Sequence, residues 1–240
     1  PKANPCLLKD SNLSPDESEK IYAIYRSKES DRHKELKNKI AERLSRIEGI
    51  NSIAIDNKFI FDGDEKRKPD VYCKYFDKEL VFEIQLSDLS LRYIINRYEF
   101  YKRKKIYLIW ILDNFNVHGQ SQTERDIKYL TEYQNFFKLD ENSEEFRLIC
   151  TYKFPFLTDN NKLLTKWIEK SVTLEKIKFS EEFYQIFFFD FGLKKVLKEK
   201  EQLKIEKKRK EEEKKQEELE RKQIAIELTD EILNDLRNLW

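Results

Sequence analysis

Apolar residues recur every three or four positions in some stretches of the chain, and every second position or without interruption in others. Residues 31–47, DRHKELKNKIAERLSRI, place Leu36, Ile40, Leu44 and Ile47 on one stripe opposite a charged face. That spacing predicts an amphipathic helix, ended by Gly49. Residues 51–61 alternate as a first strand, and DGDEKRK, 62–68, follows as a charged turn. Residues 71–76 and 80–86 are β-branched and aromatic runs. A two-residue turn at Asp77-Lys78 would pair them as a hairpin with Asp70 opposite Gln85. Alternation then puts Asp70, Tyr72, Val81, Glu83 and Gln85 on a mostly polar face, and Val71, Cys73, Phe82, Ile84 and Leu86 on an apolar one. Helical spacing returns over 87–104 at Leu91, Ile94, Ile95, Tyr98 and Tyr101, with Ser87 or Asp88 as the cap. IYLIWIL, 106–112, reads as a buried central strand beside the Glu83 strand, with Trp110 in the core.

Beyond this the pattern predicts a helix from Thr123 with Ile127, Leu130 and residues 133–137, a strand at 146–153, and a helix and a strand within 163–178. The aromatic run 183–192 suits core packing better than base stacking, because consecutive aromatics cannot all face outward. Residues 194–223 are charged, too poor in apolar residues for a heptad seam, and supplied with acid-to-base pairs four apart: Glu206–Lys210, Glu211–Lys215, Glu217–Arg221 and Glu218–Lys222. They predict a long solvated helix, ending in an amphipathic segment with Leu228, Ile232, Leu236, Leu239 and Trp240. Near the start, Ser14-Pro15-Asp16 has the signature of a helix start. The expected organisation is a lead-in over 1–28, a core over 29–118, an α/β extension over 119–192 and a charged helix over 193–240.

Composition changes this picture little. The chain is 39% charged and 39% hydrophobic, so charge is concentrated in segments, and the net charge of +1 gives no global attraction for nucleic acid. No apolar run is long enough to span a bilayer and nothing at the start reads as a signal peptide, so a cytoplasmic protein with no membrane contact is expected. Cys6, Cys73 and Cys150 are scattered, without metal-ligand spacing, and read as reduced thiols. The absence of methionine, including a first one, suggests a piece of a longer protein.

The chemical anomaly is Glu83. It lies within VFEIQL, a strand of the kind buried on both sides, where an uncompensated carboxylate costs several kcal/mol. Asp70 on the neighbouring strand would repel it. A divalent cation shared by Asp70 and Glu83 resolves both problems, and hard oxygen ligands suit Mg2+ (or Mn2+). For an isolated acid a basic partner such as Lys74 or Arg97 would be the simpler answer; the second acid and the polar Gln85 favour a site here.

Pro69-Asp70 followed by Glu83-Ile84-Gln85 resembles the PD-(D/E)XK nuclease superfamily, with glutamine where most members carry lysine. The run KPDV, FEIQLSDLS, RYEFY and IYLIWIL is more specifically similar to the competence protein CoiA family and its uncharacterised relatives, in which this glutamine is usual. The resemblance covers roughly residues 29–113. It implies a restriction-endonuclease-like α/β core: helix, three-strand β-meander, helix, strand. It also implies a metal-dependent nuclease acting on DNA, in uptake or processing, with Asp70 and Glu83 as metal ligands and Gln85 orienting a water. Arg97 and Tyr101, four apart, resemble the polar-xxx-Tyr pair some of these nucleases carry next to the metal. His33 belongs to the matching stretch SxxHxxLK, 30–37, and is a candidate for the site; Glu35 and Glu42 are weaker ones. Arg67 and Lys68 at the mouth, and Lys102, Arg103 and Lys104 in the KRKK patch beside it, are candidate phosphate contacts. His118, in a polar loop, is a candidate proton shuttle. The alternative is a module of the same fold, weak or inactive in catalysis, that binds DNA and recruits a partner through residues 193–240; self-association through that segment is a further option.

Overall fold

The computed structural model describes residues 29–86, 90–119 and 121–238. Cys6, the helix start at Ser14, the caps at Ser87 or Asp88, and Leu239 and Trp240 lie outside the described residues, as do the side chains of Ile232 and Leu236. Among the described residues no helix is long and apolar enough to cross a membrane.

Helix α1 (Asp31–Leu44) is capped by Ser30, whose Oγ accepts from the His33 N–H at 3.2 Å. Its stripe of Leu36, Ile40 and Leu44 is fully buried. The helix ends at Leu44, short of Ile47, and the chain turns through Gly49 at φ +82° into β1 (Ile50–Ile55). Gly49 carbonyl accepts from the Phe76 N–H at 2.8 Å, and a Cβ at Gly49 would come within 2.5 Å of the Phe76 ring. Gly49→Ala is therefore expected to cost about 1–2 kcal/mol from the left-handed backbone alone. A urea midpoint equal to that of the parent would contradict this.

The single strand expected over 51–61 is two. After β1 the chain makes a separate hairpin, β2 (Ile60–Asp62) with β3 (Glu65–Arg67), in place of a charged turn. Then come β4 (Val71–Tyr75), β5 (Lys78–Gln85), α2 (Leu91–Arg103) and β6 (Tyr107–Leu112). β1, β4 and β5 are antiparallel neighbours, while β6 lies parallel to β5 from Leu80↔Tyr107 to Gln85↔Leu112. Helix α2 is capped by Ser90 and buries Ile94, Arg97, Phe100 and Tyr101, leaving Leu91 exposed. A charged residue thus occupies the helix's core stripe.

The remainder extends the same sheet. Helix α3 (Gln122–Leu130) carries a Ser121–Glu124 capping box. It stops before residues 133–137, most of which enter β7 (Asn135–Leu139), parallel to β6. β8 (Arg147–Leu157) and β9 (Leu163–Thr173) follow, and a 3-10 turn at Leu174–Lys176 leads to β10 (Lys178–Ser180) and β11 (Gln185–Phe187). The helix expected within 163–178 is this strand and turn; Trp, Ile, Val and Thr there favour the pleat. The nine-stranded mixed sheet runs β1-β4-β5-β6-β7-β8-β9, with the β10–β11 pair joined to β6. The aromatic side chains of residues 183–191 are half-buried rather than core: Tyr133 stacks on Phe187 at 4.0 Å, and Asn135 Oδ1 accepts from the Phe188 and Phe189 N–H groups.

Residues up to 153 with 167–191, which hold most of the sheet, form one compact unit, and residues 154–166 with 192–240, which include the β8–β9 turn, form another. The second unit holds most of α4 (Phe191–Asn238), which exchanges two hydrogen bonds between Gln202 and Asn161. Of the ion pairs foreseen along it, Glu218–Lys222 is formed.

Candidate active site

The β4–β5 register differs from the expected one. Tyr75 pairs with Lys78, so the turn is Phe76-Asp77, one residue earlier than Asp77-Lys78. Phe76 adopts φ +50° and donates its N–H to Gly49, which closes the turn before Asp77. Continuing from the Val71↔Phe82 pair, Asp70 comes opposite Glu83 rather than Gln85. The register moves by two residues in total, so every side chain keeps its face. That face is not mostly polar: Tyr72 and Val81 join Phe100, Tyr101, Ile106 and Leu108 in an apolar cluster beside the two acids.

Asp70 is 2% exposed and is held from two sides. The β4–β5 ladder ends at Val71↔Phe82, and Pro69 has no N–H to continue it. The Ile84 N–H therefore donates to Asp70 Oδ2, at 2.8 Å. His33 Nε2 lies 3.3 Å from the same oxygen. Ser30 sets the start of α1 so that His33, in its first turn, reaches over the strand end.

Glu83, also 2% exposed, is compensated by α2. Arg97 Nη2 stands 3.1 Å from its Oε2 and Tyr101 donates its hydroxyl to Oε1 at 2.9 Å; both partners are fully buried. Their spacing of four residues places them one turn apart on the helix face that meets β5. Burial, reinforced by the Glu83 charge, pushes the Tyr101 phenol well above its ordinary pKa and keeps it a donor. Of the two basic partners foreseen for Glu83, Arg97 is the one that pairs, while Lys74 is exposed. Gln85, two residues along the same face, has its Nε2 buried without a hydrogen bond among the described residues.

Behind His33 stands a network that sequence reasoning missed. His33 Nδ1 pairs with Glu29, and Lys37, itself buried, pairs with Glu29 at 2.6 Å and with Asp56. Burial raises the Glu29 pKa, but hydrogen bonds from His33 and Lys37 outweigh it and bring the carboxyl down to about 2. Glu29, His33 and Lys37 are spaced four apart, with the acid just before the Ser30 cap and the two basic groups one turn apart on α1, and that spacing is legible in the sequence.

Other candidates fall elsewhere. Arg67 and Lys68 are not in a solvated turn at a mouth. They are 5% and 0% exposed, with Arg67 over the Phe100 ring and Lys68 over Phe59, because β3 folds the segment inward. Lys102, Arg103 and Lys104 lie at the Leu80 end of the parallel β5–β6 pair, three residues or about 10 Å of strand from Glu83. Arg103 is engaged by Asp62 and Glu65, and Lys102 lies over Tyr98 and Phe183, so both side chains have partners other than the acid pair. His118 is exposed in its loop, and Glu35 pairs with Lys39 on the outer face of α1. Cys73 and Cys150 are buried free thiols, and burial pushes the Cys73 thiol up to about 12, which makes it inert.

Asp70 and Glu83 thus offer two carboxylates on one face. Among the described residues there is no group of three His, Cys, Asp or Glu side chains arranged for a metal, so a zinc-type cage does not fit. A Mg2+-like cation fits better, since it needs one or two protein carboxylates and keeps its waters, and each Glu83 oxygen has a second lone pair beyond those facing Tyr101 and Arg97.

No curated protein and no solved structure matches the chain. The model of DUF6035, described as a domain of unknown function, matches residues 16–192, up to the first turn of α4, and the chain belongs to that family.

Proposed function

We propose that this protein is a metal-dependent nuclease-like protein acting on DNA phosphodiester bonds, similar to the PD-(D/E)XK superfamily and its CoiA-like branch. One observation carries the reading: Asp70 and Glu83 come opposite each other on one sheet face, with His33, Gln85, Arg97 and Tyr101 brought to them from α1, β5 and α2. The order α1, antiparallel β1-β4-β5, α2, parallel β6 supports it, being the order of that superfamily's core apart from the inserted β2–β3 hairpin.

Asp70 and Glu83 would hold Mg2+ or Mn2+, which supplies a Lewis acid and a water of lowered pKa when bound. The chain's own residues do the rest. Arg97 balances the charge of Glu83 in a buried site. Tyr101 fixes the Glu83 rotamer. Gln85 donates an amide hydrogen bond to a water or phosphoryl oxygen without adding charge. His33 orients Asp70 and can move a proton at Nε2. Sequence discrimination has no visible apparatus in this constellation; its groups recognise backbone phosphate.

A second reading has its own observation: the Glu83 charge is already neutralised by Arg97, so the pair is stable without a cation and the fold could serve as a non-cleaving DNA-binding module. The deciding measurement is cleavage of single-stranded, double-stranded and branched DNA with Mg2+ or Mn2+, by the parent, Asp70→Ala and Glu83→Gln. The nuclease reading expects metal-dependent cleavage lost at least a hundredfold in both variants, with DNA binding retained. No cleavage by the parent with either metal, but intact binding, would establish the second reading.

A further inference from the structure

Along α4 charge is segregated lengthwise. From Lys194 to Lys210 nine of twelve charged residues are basic, and from Glu211 to Glu227 seven of eleven are acidic. The helix itself does not favour this arrangement. Its macrodipole prefers acids near the N-terminus and bases near the C-terminus, the reverse of what is found. Local pairing does not require it either, since i, i+4 pairs form equally well in a mixed sequence. Several that do form, Lys195–Glu199, Lys208–Glu212 and Arg209–Glu213, run base before acid, the weaker order. The same helix leaves aliphatic side chains in water: Leu197 and Ile224 are 48% and 55% exposed, and Val196, Leu203 and Leu219 are similarly placed.

We propose that α4 is a self-association surface whose partner is a second copy of the same helix, laid antiparallel and centred on the Lys210–Glu211 peptide. Turned end for end about that point, the basic half of one helix lies along the acidic half of the other. On the helix face that carries Lys194, Arg209, Glu212 and Glu227, Lys194 comes against Glu227 and Arg209 against Glu212 of the other copy. A parallel, in-register pair would place every charge beside itself. Antiparallel pairing also opposes the two macrodipoles. A nucleic acid would be drawn to the basic half and repelled by the acidic one, whereas a second copy satisfies both. The middle of the helix is charged, so the association rests on electrostatics with aliphatic contacts toward its ends, and salt must weaken it. This inference is independent of the reading of the acid pair.

Sedimentation velocity of the full chain at about 50 mM and about 0.5 M salt tests it. A dimer is expected at tens of micromolar protein in low salt, with the dissociation constant rising at least tenfold in high salt as the screening length shrinks from roughly 14 Å to about 4 Å. Two variants complete the test: Lys207→Glu/Lys208→Glu/Arg209→Glu/Lys210→Glu and Glu211→Lys/Glu212→Lys/Glu213→Lys. All seven positions are exposed, so circular dichroism should show the fold unchanged. Each variant alone should be monomeric, and an equimolar mixture should form a heterodimer. A monomeric parent in low salt, a dimer indifferent to salt, dimerisation of either variant alone, or failure of the mixture would each overturn the proposal. Should the parent be monomeric yet bind a DNA duplex that the first variant does not, nucleic acid is the partner instead.

Discussion

Arg97→Leu should destabilise the protein by about 3–5 kcal/mol, the usual result of leaving one member of a buried ion pair without the other. Glu83 is 2% exposed and bonded to Tyr101, so without Arg97 it must either stay charged in a buried site or take up a proton. The Tyr101 hydrogen bond alone does not offset that cost. Denaturant unfolding monitored by tryptophan fluorescence measures it. The triple change Glu83→Leu/Arg97→Leu/Tyr101→Phe removes the charge, its partner and the hydroxyl together, and should recover most of the loss. A single-variant cost under about 1 kcal/mol, or no recovery in the triple variant, would mean that Glu83 is compensated by something other than Arg97.

Gln85→Lys should raise metal-dependent cleavage about a hundredfold. One well-placed electrostatic donor to developing charge is worth roughly 3 kcal/mol, and an amide at this position brings a dipole where an ammonium would bring a full charge. Position 85 suits the exchange, because Gln85 Nε2 is buried with no hydrogen bond among the described residues to be lost. The effect should appear in kcat more than in KM, since the charge it answers develops in the transition state. An unchanged rate, in a protein whose cleavage Asp70→Ala abolishes, would show that Arg97 already supplies the needed charge. In a protein that does not cleave, the change would yield nothing.

The two acids on one face were legible because strand alternation has a period of two: a register error of two residues leaves Asp70 and Glu83 on the same side. The helices were legible where their stripe was purely aliphatic, as at Leu36, Ile40 and Leu44. They were misread where aromatic residues could serve either element, as at residues 133–137, most of which became β7. Glu29 and Asp56 escaped notice because each looks like a surface acid until Lys37 is seen to be buried between them.

The sequence by itself determined the local periods, and with them the strand faces, the helix stripes, the acid pair and the long charged helix. Packing of distant elements decided that Arg97 rather than Lys74 neutralises Glu83, that His33 reaches Asp70, that Lys68 is buried and that Arg103 of the KRKK patch is engaged by Asp62 and Glu65. Each of these depends on which distant element lands against a given face. Packing settles that choice by burying the most apolar surface while leaving no buried charge without a partner, and no local repeat encodes the outcome.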